Sequence, residues 1–220
     1  MNVEIDEHSI HLPDVSLTLP LTPDLSYLST LPQVEATIWG EKVQAYVFPQ
    51  GKFKEFLGTN EDLELLMICK PREVGRNAEG LGAKVGFADA YPIHLITEPS
   101  ADALNAKLFL DIIPRFRANI VLKGTRAWEE DDWTKVKIGR NVFHVVSRMV
   151  RCAVPNVDQT TAALSREPFS SMTRFRRIDT GSKYPCFGMS LVSDGAGEIN
   201  VGDTVEILST GEHRYIPIQP

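Results

Sequence analysis

Residues 143–161 read FHVVSRMVRCAVPNVDQTT, and the fold is read from this stretch first. Phe143 to Val150 is an apolar run rich in valine, which suits a buried strand. Pro155, Asn156 and Asp158 follow, and residues of these types open a turn. Arg151 and Cys152 stand at the junction. A cysteine at a strand end is reachable, and a neighbouring cation favours thiolate, the form that attacks or binds a metal. A small buried cysteine would fit the same pattern. On spacing alone both readings of Cys152 stay open.

On the C-terminal side, Glu167-Pro168 opens a helix carrying Phe169, Met172 and Phe175 at helical spacing, with proline in the first turn. Cys186 to Val192 is a strand, Asp194 to Gly197 a turn, and Ile199 to Leu208 a last strand. Arg214 to Pro220 reads as a loose tail. On the N-terminal side, Val136 and Ile138 alternate before a turn at Arg140-Asn141. Trp128 to Trp133 is an acidic loop between tryptophans, read as solvated. Arg115-Phe116-Arg117-Ala118-Asn119 leads into a short strand, Ile120 to Leu122. Thr97 to Ser100 resembles a helix start, with Ser100 placed to accept a first-turn N–H and Leu104 and Leu108 as its apolar stripe. Val85 to Ile96 is extended around a turn at Asp89 to Pro92.

Residues 71–82 are glycine-rich and nearly free of apolar side chains, so a domain boundary falls there. Residues 1–70 form one region and 71–220 the other. In the first, Val15 to Leu21 alternates but carries flanking prolines, which confine it to an edge. Val34 to Trp39 and Val43 to Phe48 pair through Gly40 to Lys42 as a hairpin. A short helix spans 51–58, and Leu63 to Cys69 is a strand. Many short strands with few helices predict a mainly β fold with flanking helices.

The chain has 220 residues and a formal net charge of -6, which argues against a nucleic-acid backbone as partner. No apolar run is long enough to span a bilayer. The acidic start MNVEIDEHSIHLP is not read as a signal peptide. Three widely spaced cysteines suit a reducing compartment: a cytoplasmic location is expected, and mitochondrial association is compatible with it. His94 and His144 sit in apolar runs and are read as hydrogen-bonded core histidines; no zinc site is expected. Arg115, Arg117 and Asn119 supply several donors beside a strand, which suits a phosphate or polar heterocycle as well as it suits surface ion pairs. Asp89 is a partner for such a heterocycle or simply a turn aspartate.

Taken in order, Phe87-Ala88-Asp89-Ala90-Tyr91-Pro92, Leu95-Ile96-Thr97-Glu98, Arg115 to Val121, Trp128 to Trp133, Arg151-Cys152, Val157-Asp158, Arg166-Glu167-Pro168, Phe187-Gly188 and Val201-Gly202-Asp203 resemble the MOSC family, the molybdenum-cofactor sulfurase C-terminal domain. The match is nearest its amidoxime-reducing branch, in a fungal form. The resemblance implies a MOSC-type β-barrel over residues 71–220. It makes 1–70 a partial N-terminal β-barrel-like region, without the lysine-serine grip motif of fuller members. It further implies a pterin-based molybdenum cofactor (molybdopterin), with Cys152 as metal ligand and Asp89, Arg117, Asn119 and Arg151 holding the pterin and its phosphate. The implied reaction is reduction of N-hydroxylated substrates, amidoximes and hydroxylamines, by electrons from a cytochrome b5-type donor. Two other readings stay open: a carrier with a persulfide on Cys152, and a cofactor-free domain reused as a binding module or metal-free catalyst. A partly built barrel also leaves edges that a second copy, as a homodimer, would cover.

Overall fold

The computed structural model describes residues 3–214 apart from 39, 50, 62, 74–77, 79, 107 and 180–181. The expected strand end at Trp39, the middle of the 71–82 loop and the 215–220 tail lie outside the described residues. The chain forms two compact units, residues 1–72 and 73–219.

The first unit holds two antiparallel three-stranded sheets. Strands β1 (Glu4–Ile5), β2 (Ser9–Leu12) and β3 (Leu17–Pro20) form one. Leu17 and Leu19 point into the core while Thr18 faces solvent, the two-residue period of a half-buried strand. The second sheet is β4 (Gln33–Ile38), β5 (Glu41–Val47) and β6 (Leu66–Ile68). The expected hairpin is present, with Gly40 in a left-handed conformation, although β5 starts two residues earlier than the alternation suggests. Helix α1 (Leu25–Leu28) was not foreseen; the Asp24 carboxylate accepts from Tyr27 N and caps it. Helix α2 (Phe53–Leu57) ends at left-handed Gly58. Leu12, Val15, Leu17, Leu19 and Phe48 form the core of this unit.

Strand β7 (Arg72–Glu73) lies at the division, and β8 (Lys84–Val85) follows in the second unit. That unit is built on a six-stranded sheet of β9 (Ile93–Thr97), β10 (Ile120–Leu122), β11 (Trp133–Ile138), β12 (Asn141–Val150), β13 (Cys186–Ser193) and β14 (Val205–Thr210), in the order β10-β9-β13-β12-β11-β14. In this sheet β10 and β9 run parallel and the other neighbouring pairs antiparallel. A parallel pair needs a crossover, and helices α3 (Glu98–Asn105) and α4 (Ile112–Phe116) supply it. Successive residues of one strand serve opposite faces. Leu95, Val145, Met189 and Leu191 enter one core. Ile96 and Phe187 face α3, α4 and Met172 of helix α5 (Phe169–Phe175) in a second. Val146 and Val192 join Ala83 and Val85 in a third. The mainly β architecture with flanking helices is therefore as the sequence implies.

Local details differ from expectation. Thr97, not Ser100, is the N-cap of α3: its hydroxyl accepts from Ser100 N at 3.3 Å, and the Ser100 side chain turns to Glu130. The last strand begins only at Val205, because residues 199–204 form an irregular turn with Gly202 at φ 98°.

The largest departure is the acidic segment 129–132. It is a 3-10 turn, and two of its carboxylates are buried rather than solvated. Asp131 takes a bidentate pair of 2.7 Å bonds from Arg176, whose Nε donates to Cys186 O at 3.1 Å and whose guanidinium lies 4.1 Å from the Trp128 ring centroid. Glu130, 1 % exposed, accepts from Ser100 and Thr97 through Oε2, while Oε1 has no partner. Burial therefore raises its carboxyl above the ordinary range. Local composition does not foretell this burial, since Arg176 lies far along the chain.

Replacing Asp131 by alanine leaves the Arg176 guanidinium buried without its carboxylate. We expect a loss of about 3–5 kcal/mol in urea unfolding, as for other broken buried pairs. Gly188 sits in β13 at φ +76°, and a Cβ there would lie 2.5 Å from His94 Nε2 and 2.6 Å from Leu95 O. Gly188→Ala should cost about 2–4 kcal/mol in the same measurement, combining left-handed strain with overpacking.

Candidate functional site

Strand β12 ends at Val150, and the chain leaves the sheet through Arg151 and Cys152. Arg151 stays tied to the neighbouring strand entry, donating its N–H to Pro185 O at 2.9 Å. Its side chain turns inward and is 8 % exposed. There Nη2 donates to Phe116 O at 3.1 Å, Nη1 to His94 Nε2 at 3.4 Å and to Met149 Sδ at 2.6 Å. The guanidinium carbon lies 4.7 Å from the Phe116 ring centroid, and that ring stacks on Phe187 at 4.1 Å. No carboxylate lies within ion-pair distance of Arg151 among the described residues. Burial pulls its pKa down to about 10, and the neighbouring Cys152 works against that shift.

Cys152 itself is exposed; it is a free thiol, as are half-buried Cys69 and buried Cys186. Of the two readings left open above, the structure shows the reachable one. Cys186, by contrast, is buried, and burial pushes its thiol up to about 11, so it is inert.

Asn119 clamps β9. Its N–H donates to His94 O at 2.9 Å and its Oδ1 accepts from His94 N at 2.8 Å. The side-chain carbonyl is thus committed, and the amide group keeps only its NH2 as donor for a ligand. Arg117 is exposed and left-handed at φ 51°, closing α4 as its C-cap. Asp89 is exposed in the turn leading to β9. Arg151 bonds the Phe116 carbonyl and the His94 ring, and Asn119 bonds the His94 backbone, while Cys152 and Arg117 are the chain neighbours of Arg151 and Phe116. Asp89 stands on the approach to the same strand.

Arg115 belongs elsewhere. The sequence left it even between ligand donor and ion pair, and the structure buries it to 6 % exposure. Its Nη2 donates to Asp158 Oδ2 at 2.6 Å, and Nη1 reaches Pro155 O and Asn156 O at 3.5 and 3.4 Å. Bonds from Thr161 and Thr160 hold the Asp158 carboxyl below its usual range, with Arg115 adding to the effect. Sequence reading missed Asp158 as the partner of Arg115. The turn signal of Pro155, Asn156 and Asp158 was visible, but the partner across the fold was not.

His94 is buried as expected of a core histidine. A guanidinium only donates, so Nε2 accepts and the ring proton sits on Nδ1. Burial and the Arg151 charge lower its pKa to about 3. His144 departs from expectation: it is half-buried and bonds Asp194 at 2.9 Å near the surface.

The arrangement suits a group with a soft metal and an anionic tail. An exposed thiol is a soft ligand. Arg117 and the Asn119 NH2 are exposed donors on the segment whose Phe116 carbonyl Arg151 grips, and the unneutralised Arg151 charge adds positive potential. No cluster of three metal-ligating residues occurs among the described residues.

A MOSC domain model matches residues 82–206, within the second unit. The chain is 36 % identical over 129 residues to mitochondrial amidoxime reducing component 2 of Rattus norvegicus, covering 56 % of this chain and 38 % of that protein. It is 34 % identical over 147 residues to mitochondrial amidoxime-reducing component 1 of Xenopus laevis, covering 63 % and 43 %. Against component 1 of Homo sapiens it is 32 % identical over 132 residues, covering 57 % and 39 %. The chain spans about two-fifths of the length of these curated relatives.

A histidine whose pKa falls on folding is protonated first in the unfolded chain. Its contribution is complete above 6.5 and is lost as pH falls from there toward about 3. Stability should decline in that window by up to about 1.4 kcal/mol per pH unit from this group. The difference in unfolding free energy between the protein and His94→Gln, measured across pH 3–7, should carry that slope.

Proposed function

The chain belongs to the MOSC domain family, and from that premise we propose that it is a molybdenum-cofactor reductase of N-hydroxylated compounds with Cys152 as the metal ligand. One observation carries the reading: the exposed Cys152 thiol adjoins a buried guanidinium that has no carboxylate partner among the described residues. The names of the relatives, amidoxime-reducing components, give the substrate class.

Each residue then has a task. Cys152 supplies thiolate to the metal. Arg117 and the Asn119 NH2 bind the phosphate and the polar edge of the pterin, and Asp89 accepts from the pterin ring. Arg151 does not reach out as a clamp. It acts from beneath, through its charge and through its grip on the Phe116 carbonyl. The cofactor, when bound, supplies two-electron chemistry that the side chains cannot. Reducing an N–OH group to N–H consumes two electrons and two protons and releases water. The electrons come from a one-electron haem carrier of the cytochrome b5 type.

Among the described residues no helix is long and apolar enough to cross a membrane. The sheet has two edges, β10 and β14, with Val121, Ile207 and Leu208 exposed on them. Such edges invite pairing, and a homodimer is the form in which this chain would cover one of them.

Protein made in a cofactor-producing host should carry about one molybdenum per chain, since a resident metal centre binds in fixed ratio. Cys152→Ser should lose that metal while keeping its unfolding midpoint, because Cys152 is exposed. Metal analysis finding equal molybdenum in both proteins, or none in either, would overturn the proposal.

A further inference from the structure

Two consecutive residues, Arg115 and Phe116, grip the chain on both sides of Cys152. Before it, the Phe116 carbonyl accepts from Arg151 Nη2 at 3.1 Å. After it, Arg115 bonds the carboxylate of Asp158 at 2.6 Å and the carbonyls of Pro155 and Asn156. Between those grips lies a short stretch that includes the 3-10 turn Val154–Asn156. The turn has a further tie, Phe169 N donating to Asn156 Oδ1 at 3.0 Å. The Arg115 side chain is 7 % exposed, and Nε has no partner, so its hydrogen bonding is concentrated on the Cys152 loop.

Asp158 does two jobs with two oxygens. Oδ1 accepts from Thr160 N, Thr161 N and Thr161 Oγ1, closing its own turn. Oδ2 faces Arg115. The first job is local to the turn, and the second ties the turn to α4.

We infer that Arg115 and Asp158 are positioning residues for Cys152: their ion pair holds the loop that presents the thiol, without either residue touching what the thiol binds. A ligand sulfur is useful only at a fixed place, and supporting contacts that orient a ligand commonly matter to metal affinity by about 10–100-fold. The arrangement also accounts for an arginine beside the site that is turned away from it. The inference rests on the Cys152 reading above only for its consequence to metal binding; the positioning itself does not need a metal.

The test is a nitroxide label on Cys152 in a Cys69→Ser background, read by electron paramagnetic resonance without cofactor. Asp158→Asn keeps an oxygen for the Thr160–Thr161 turn and removes the charge that Arg115 pairs with. Its spectrum should narrow, showing a mobile label. Arg115→Lys keeps the charge but loses the fork, and should narrow the spectrum in the same direction. Thr161→Val removes one bond to Asp158 Oδ1 and leaves the ion pair, so its spectrum should not change. A reference label at Ala103→Cys, on the exposed side of α3, in a Cys69→Ser, Cys152→Ser background, should stay unchanged in every variant.

Molybdenum retention measured in the unlabelled variants separates this inference from the proposed function. A mobile label with retention weakened on the order of tenfold supports both. A mobile label with unchanged molybdenum supports the positioning role and removes Cys152 as the ligand. Unchanged spectra in both Asp158→Asn and Arg115→Lys overturn the inference. So does equal narrowing in Thr161→Val, which would assign the effect to turn capping, or narrowing at the reference label, which would assign it to general loosening.

Discussion

A guanidinium taken out of water must find acceptors within the fold, and this constraint shapes the second unit more than any other. Arg176 meets it fully. Asp131 takes two of its nitrogens, Cys186 O takes the third, and the Trp128 ring covers a face. One side chain thereby joins the 129–132 turn, the end of α5 and the start of β13. Breaking a buried pair leaves the surviving charge stranded, so these three pieces stand or fall together. The neighbouring Arg148 extends the network to Asp179 at 2.7 Å.

Two other buried arginines are answered differently. Arg115 has one carboxylate and two long carbonyl contacts. Arg151 has a carbonyl, a neutral histidine, a thioether and an aromatic face. None of these cancels a charge. A fold built for stability alone would place a carboxylate there or an apolar side chain. An uncancelled cation next to an exposed thiol makes sense where an anion is to be received. His94 serves this arrangement by staying neutral: its lowered pKa means that it accepts from Arg151 over the ordinary pH range and adds no second positive charge.

Much of the fold could be read from residue order because its causes are local. Alternation in Leu17 to Leu19 and the apolar run before Arg151 follow from the two-residue period of strands. Gly40 and Gly58 mark a turn and a helix end because glycine takes left-handed backbone easily. Ser100 was misread as a cap because Thr97 and Ser100 are both good cap types within one turn, and only the hydrogen bonds tell them apart. The acidic turn was misread for a stronger reason. Four successive acids look solvated, and nothing nearby announces that Arg176 will arrive to bury one of them.

Residue order alone therefore settled the mainly β class, the strand that ends at Arg151-Cys152 and the likeness to the MOSC family. These depend on periodicity, on turn chemistry and on an ordered set of short motifs. Three-dimensional packing alone decided which arginines stay exposed and which face inward, which acids are buried, and that Asn119 spends its carbonyl on β9. Those outcomes depend on partners tens of residues apart, and a charged side chain carries no mark in sequence of the partner that will neutralise it.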